Sequence, residues 1–262
     1  MSKKGKETKK LMNSMPEDVD YLRAAISNVI FIGAPGSEDW VLVDTGISTF
    51  GDNIRSFAAK RFSSSKPKAI LLTHGHFDHV GSLVDLLKHW DVPVYAHPLE
   101  VPFLNGTADY PPGNPSVGGG LMAALSPLYP HKGIDVRLWL QPLPDNGVIP
   151  GLPEWQWLHT PGHTEGHVSL FRKRDGIIIA GDAFITVKQE SALAVLTQEK
   201  EIHGPPAYFT FNWQQSWASV RKLAELNPLT AITGHGHPMF GGDLQAGLQR
   251  LAEEFDRMAI PR

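Results

Sequence analysis

The sequence predicts an α/β (α+β) fold in which two mixed β/α halves bring their sheets face to face and leave helices outside. Three observations carry this. Apolar, β-rich runs alternate with helix-period patterns in both halves, one helix pattern has an apolar stripe fit to lie on a sheet, and a Gly- and Pro-rich stretch interrupts the alternation.

Residues 1 to about 18 are polar and lysine-rich and read as a solvated tail. "MSKKGKETKK" has the basic start of a signal peptide, but "LMNSMPEDVDYL" follows where a continuous apolar stretch is required. Residues 19–262 then read as one domain. "NVIFIG" and "WVLVD" are strands, a helix lies near 50–62, "KAILLT" is a strand, "DHVGSLVDLLKHW" a helix and "VPVYAH" a strand. Val80, Leu83, Val84 and Leu87 sit at i, i+3, i+4 and i+7 of that second helix, one apolar stripe. Residues 105–153, with "YPPGNPSVGGG" and "QPLPDNGVIPGLP", read as a long insertion with a short helix around 121–129. "EWQWLHT", "HVSLFRK" and "GIIIAGD" are strands, 183–211 is a mixed segment with the character of a lid, and helix 212–226, strand "TAITG" and helix 243–258 close the chain.

Composition narrows the function. With 262 residues, 42% of them hydrophobic, the chain can bury its own core. A formal charge of −3 argues against a nucleic-acid partner, because counterion-driven binding needs a concentrated basic surface. Cysteine is absent, so a metal site must be built from imidazole and carboxylate. No apolar run is long enough for a membrane, and the expectation is a soluble, cytoplasmic protein acting on a small molecule.

"LLTHGHFDHVG", residues 71–81, packs three histidines and an aspartate into six positions after an apolar strand. In extended chain, His74 and His76 project to the same side and can share one ion. Asp78 and His79, at the start of the following helix, point elsewhere and suit a second ion. Other acidic or histidine residues stand just past apolar strands: Asp44 in "VLVDTG", His163 in "HTPGHTEGH", Asp182 in "IIIAGDAF" and His235 in "AITGHGHP". In layered α/β proteins such strand ends converge. Singly, each is an ordinary turn residue; in this order around HxHxDH they point to a metal centre.

These residues resemble the five ordered motifs of the metallo-β-lactamase-fold hydrolase superfamily: Asp44, "THGHFDH" at 73–79, His163 within "TPGHTEGH", Asp182 and His235, spanning residues 27 to 240. The resemblance implies an αββα sandwich with a dinuclear centre between the sheets. It implies His74, His76 and His163 on one ion, Asp78, His79 and His235 on the other, Asp182 bridging them, and Asp44 outside the ligand set, orienting a ligand histidine. Two divalent ions about 3.5–4 Å apart turn a bridging water into hydroxide while one polarises the substrate oxygen. Asp78 and Asp182 are then the carboxylates on which catalysis turns, Asp78 as a ligand ahead of a general base. Zinc is the default for a histidine-rich site, and iron or manganese also suits the bridging carboxylate.

Within the superfamily, thiolate-containing β-lactamases are excluded by the missing cysteine, and β-lactamases with only histidine ligands lack the acid at Asp182. His76 stands where flavodiiron-type enzymes carry Glu. Glyoxalase II-like thioesterases and acyl-homoserine lactonases share the ligand set, but "GHGHP" at 234–238 departs from the first, and Ile185 stands where lactonases carry Tyr, unless Tyr110 or Tyr208 takes its place. Phe103, Leu104, Leu121, Met122, Leu125, Phe184, Leu193, Val195 and Phe209 favour an acyl pocket, with Lys188 and Lys200 as the basic complement of 99–131 and 183–211. The expected activity is hydrolysis of a small carboxylic ester, lactone or thioester. The alternatives are a phosphodiesterase, a β-lactamase, a mononuclear iron dioxygenase or a non-catalytic metal-binding member. His89, His97, His131, His159, His203 and His237 are expected in structural roles, with His237 the first to test as a proton shuttle, and Trp139, Trp155, Trp157, Trp213 and Trp217 in packing.

Overall fold

Val29 and Phe31 face one way along their strand and Ile30 and Ile32 the other, and all four are buried, so the sheet that carries them is covered on both faces. The computed structural model, which describes residues 14–117, 121–187 and 201–261, shows what covers it. β1 (Val19–Ala24), β2 (Ser27–Ile32), β3 (Val41–Val43), β4 (Ala69–Leu71), β5 (Val94–Ala96) and β6 (Leu140–Pro142) form one sheet in that spatial order. Its first three strands pair antiparallel and β3 to β6 pair parallel. β7 (Val148–Ile149), β8 (Leu152–His159), β9 (Val168–Arg172), β10 (Ile177–Gly181), β11 (Thr230–Thr233) and β12 (Met239–Phe240) form a second, antiparallel except between β10 and β11.

The helices are α1 (Gly51–Phe62), α2 (Phe77–Val80), α3 (Leu83–Trp90), α4 (Val101–Leu104), α5 (Leu121–Leu125), α6 (Trp213–Glu225), α7 (Gly241–Glu253) and α8 (Phe255–Met258). Ile54, Phe62, Leu83 and Leu87 of α1 and α3 cover the outer face of the first sheet. Val220, Leu223, Leu244 and Leu248 of α6 and α7 cover Ile178 and Ala180 on the outer face of the second. Between the sheets, Ile30, Val43 and Leu71 meet Leu170, Ile177 and Ile179. The result is the two-sheet sandwich with outer helices that the sequence predicts. Trp155 is buried in the inter-sheet core, and Trp217 packs in the α6–α7 layer.

Several elements differ from the expectation. The helix at 78–90 is two pieces, α2 and α3, and its buried stripe runs through Leu83, Leu86, Leu87 and Trp90, leaving Val84 39% exposed. The insertion at 105–153 supplies β6 and β7, so its end completes one edge of each sheet. β1 and β12 at the other edges were also unforeseen. Within the tail, Met15 packs against the inter-sheet core and Asp18 accepts hydrogen bonds from Arg172 and Arg174. Of the suggested lid, residues 188–200, with Leu193, Val195, Lys188 and Lys200, lie outside the described residues. Among the described residues, no helix is long and apolar enough to cross a membrane.

β3 and β4 run parallel, as do β10 and β11, and β8 shares the direction of β10. The segments that follow these strands therefore leave at common sheet edges, and they carry Asp44, the 73–79 motif, His163, Asp182 and His235.

Candidate metal centre

Asp44 adopts φ +60°, a left-handed conformation that costs a side-chain-bearing residue about 1–3 kcal/mol. Its hydrogen bonds offset that cost. The buried carboxylate accepts from Thr73 N–H (2.8 Å), from the Thr73 hydroxyl (2.8 Å) and from His79 Nδ1 (2.8 Å). Because Nδ1 of His79 is committed to Asp44, Nε2 is left to face inward.

The same logic fixes three more rings. Thr73 Oγ1 gives its proton to Asp44 and so accepts from His74 Nδ1 at 3.0 Å. Thr210 Oγ1 gives its proton to the Pro206 carbonyl and accepts from His163 Nδ1 at 3.2 Å. His235 Nδ1 donates to the Ile26 carbonyl at 2.7 Å. Each of these histidines keeps a bare Nε2 in its neutral form, the state a metal requires.

Those nitrogens converge. Nε2 of His74 lies 3.1 Å from Nδ1 of His76, which lies 2.9 Å from Nε2 of His163. Imidazoles sharing one tetrahedral zinc, with bonds of about 2.0–2.1 Å, place their nitrogens about 3.3 Å apart. Burial, together with the neighbouring histidines, pushes His74 and His163 well below the ordinary imidazole pKa and His76 to about 3. All three are neutral at physiological pH.

The second group has the opposite electrostatics. Burial disfavours a charged His79, but the carboxylates of Asp182, Asp44 and Asp78 outweigh it and hold its pKa well above the ordinary value. His235 is raised likewise against burial by Asp182 and Asp78. Burial of Asp182 opposes its charge, yet His235 and His79 hold its pKa well below the carboxylate range. Without an ion, protons balance this negative pocket; a divalent cation balances it equally.

Asp182 Oδ2 lies 3.1 Å from His235 Nε2, 3.5 Å from His163 Nε2 and 3.6 Å from His79 Nε2, so one oxygen adjoins both groups. Asp78 Oδ2 is 3.4 Å from His235 Nε2 and 3.9 Å from His79 Nε2. Three sets can each bring ligand atoms within 4.8 Å of one another: His74, His76 and His163; His74, His79 and Asp182; Asp78, His79 and His235. His79 Nε2 and Asp182 Oδ1 are buried without a hydrogen-bond partner. Buried polar atoms are seldom left so, and an imidazole nitrogen and a carboxylate oxygen are the donors a zinc or iron ion takes. The residues fit a pair of metal ions.

The structure therefore brings together all eight residues singled out in the sequence. It also supplies partners the sequence left unassigned. His167, the last residue of "TPGHTEGH", accepts from the Asp182 backbone N–H through Nε2 (2.9 Å) and lies beside Thr160, setting the turn that presents Asp182. Gly181, at φ +54°, leaves room for that ring, since a Cβ there would stand 2.6 Å from His167 Nε2. Glu100 and Tyr110 brace the loops of His76 and His163. His167 was in a quoted motif and could have been found there; Glu100 gave no signal. His89, His97, His131, His159, His203 and His237 stay outside the cluster. His237 lies 3.2 Å from the Tyr21 hydroxyl, and His97 stacks on His159.

A cavity of about 460 Å³ opens onto His76, Asp78, Asp182 and His235. Its walls are Ile26, Ile47, Phe77, Val84, Met122, Tyr129, Ile134, Tyr208 and Phe209, with Lys132 among them. Of the expected acyl-pocket residues among the described ones, Met122 and Phe209 line it. Leu104 and Phe184 are fully buried in the outer cores, Phe103 stacks on Tyr110, and Leu121 and Leu125 are exposed and outside the lining. Tyr208 reaches the wall, whereas the Tyr110 hydroxyl is bonded to Glu100.

A two-sheet sandwich with a His/Asp cluster in its cleft defines a protein with a candidate dinuclear metal centre. The family model of the metallo-β-lactamase superfamily matches residues 22–235, and the chain belongs to that superfamily. It is 48% identical over 236 residues to the "Probable metallo-hydrolase YflN" of Bacillus subtilis (strain 168), covering 89% of each chain. It is 32% identical over 200 residues to "Probable metallo-hydrolase YybB" of the same organism, covering 76% of each. Among solved structures, TTHA1623 in a di-iron-bound form aligns with a TM-score of 0.59 at 24% identity, over 90% of this chain and 98% of that one, a likeness in fold.

Proposed function

We propose that the protein is a metal-dependent hydrolase of small carboxylic esters, lactones or thioesters. The observation that carries this reading is the convergence of Nε2 of His79, His163 and His235 on Asp182, beside an apolar cavity. In this reading His74, His76 and His163 hold one ion, Asp78, His79 and His235 the other, Asp182 lies between them, and Asp44 keeps Nε2 of His79 turned inward. Two divalent ions supply a hydroxide at neutral pH and polarise a carbonyl oxygen. Zinc suits the imidazole-rich set; the di-iron form of TTHA1623 makes iron the first alternative to assay. Kinship with two proteins named probable metallo-hydrolases supports hydrolysis as the reaction.

The choice of bond rests on the cavity wall. Each Å² of apolar acyl surface buried there gains about 25 cal/mol, whereas a phosphodiester needs several cationic partners. Among the described residues that line the cavity, Lys132 is the single lysine or arginine. It suits one carboxylate on an acyl substrate better than a polyanion, and duplex nucleic acid is not the expected partner.

Chelated protein, then protein reloaded with zinc, iron or manganese, tests the reading against aliphatic and aryl esters, lactones, thioesters, bis(p-nitrophenyl) phosphate and β-lactams. The expected result is loss of turnover on chelation and highest kcat/KM on an acyl substrate. Full turnover by metal-free protein sinks the metal reading. Preference for the phosphodiester or the β-lactam with every metal sinks the acyl reading alone.

A further inference from the structure

Glu100 follows β5, at the end of a short 3-10 turn (Pro98–Glu100), and is completely buried. A carboxylate removed from water is costly unless hydrogen bonds replace its hydration. Here four donors do so, three of them from the two ligand loops and the fourth, Tyr110, from the 105–153 insertion. Oε2 accepts from Gly75 N–H at 2.9 Å and from the Tyr110 hydroxyl; Oε1 accepts from the Thr164 hydroxyl at 2.6 Å and from Gly166 N–H at 3.0 Å. Gly75 lies between His74 and His76, in the loop after β4 of the first sheet. Thr164 follows His163, in the loop between β8 and β9 of the second. One side chain thus ties the two loops whose histidines meet at 2.9 Å.

The fit on both sides is close. A Cβ on Gly166 would stand 2.7 Å from Glu100 Cγ, and a Cβ on Gly75 would stand 2.6 Å from the Tyr110 hydroxyl, whose ring packs against His76. The second ligand group depends on other supports: Asp44 for His79 and the Ile26 carbonyl for His235.

We propose that Glu100 is a positioning residue for the His74/His76/His163 half of the centre. It sets the separation of the two sheets' ligand loops, and the metal affinity of that half depends on it while the Asp78/His79/His235 half does not. The proposal rests on the metal reading above. Glu100→Gln isolates the effect, because an amide keeps the size but turns an N–H₂ toward donors at one oxygen position, leaving one loop unanchored.

The test is a Co2+ titration of the metal-free full-length protein by calorimetry, with anomalous scattering at one equivalent showing which half fills first. Wild type is expected to bind two ions. E100Q is expected to bind one with unchanged affinity and one, in the three-histidine half, about 10–100-fold more weakly, the range for losing a group that orients metal ligands. Tyr110→Phe and Thr164→Val, each deleting one donor, are expected to weaken the same half by smaller factors, and they carry the test if E100Q does not unfold cooperatively. Equal weakening of both halves, or unchanged affinity in all folded variants, overturns the proposal. Wild-type protein that binds no Co2+ overturns the metal reading itself and this proposal with it.

Discussion

Asp182 is closely surrounded. A Cβ built on Gly234 would stand 1.9 Å from its Oδ1, so alanine there displaces the carboxylate without removing it. Asp182→Ala removes it. Both changes leave imidazoles of two groups without the charge that lies 3.1–3.6 Å from them. Metal content is expected to fall from about two ions per chain toward one, with turnover reduced at least 10–100-fold in each variant. Elemental analysis beside far-ultraviolet dichroism checks this; Gly234→Ala protein with full metal content and rate would show that the carboxylate's position is unimportant.

At the scale of the element, α3 has two faces with separate duties. Leu83, Leu86, Leu87 and Trp90 are buried against the first sheet, while Val84, one residue past Leu83, lines the cavity. Leu87→Ala should therefore cost about 2–5 kcal/mol of stability through lost burial and a residual cavity, with KM unchanged. Val84→Asp should leave the melting temperature within a few degrees of wild type and raise KM severalfold for an apolar acyl substrate. Thermal melts and Michaelis curves on the two variants separate the faces. A destabilised Val84→Asp protein with unaltered KM would make Val84 a packing residue.

For the whole molecule, burying so many histidines makes stability depend on pH. His76 is held at about 3 and His167 at about 4, burial being the main cause in both, against about 6.5 in an unfolded chain. Between pH 6.5 and 4 the unfolded chain binds protons that the folded chain refuses, so stability falls as pH falls, by about 1.4 kcal/mol per pH unit for each such group. His79 and His235, with raised pKa values, are protonated in both states over most of this window and add little slope there. The melting temperature of chelated protein should drop progressively from pH 6.5 to pH 4. A flat profile would mean that these rings are not buried in neutral form.

The candidate site residues were legible because most of them follow short apolar runs, and β3, β4 and β10 are such runs, fully buried between two covered faces; His163 instead follows the partly exposed β8 and stands out by its motif. Edge strands such as β6 and β7 are two or three residues long and partly exposed, too short for a period to show. Hydrophobicity alone does not say which interior a side chain enters: Leu104 and Phe184 went to the outer cores, while Phe77 and Val84 became cavity wall. Lys132 lines the same wall from one residue beyond the 99–131 segment. Glu100 is a lone acid beside prolines in sequence, yet it bonds Thr164, 64 residues away, across the junction of two sheets. Residue type and periodicity are local properties, so the central buried strands and the candidate metal ligands are readable from the chain alone, and the edge strands are not. Which distant loops a single carboxylate joins, and which apolar side chains surround the cluster, depend on how the two sheets pack, a non-local property that no residue pattern carries.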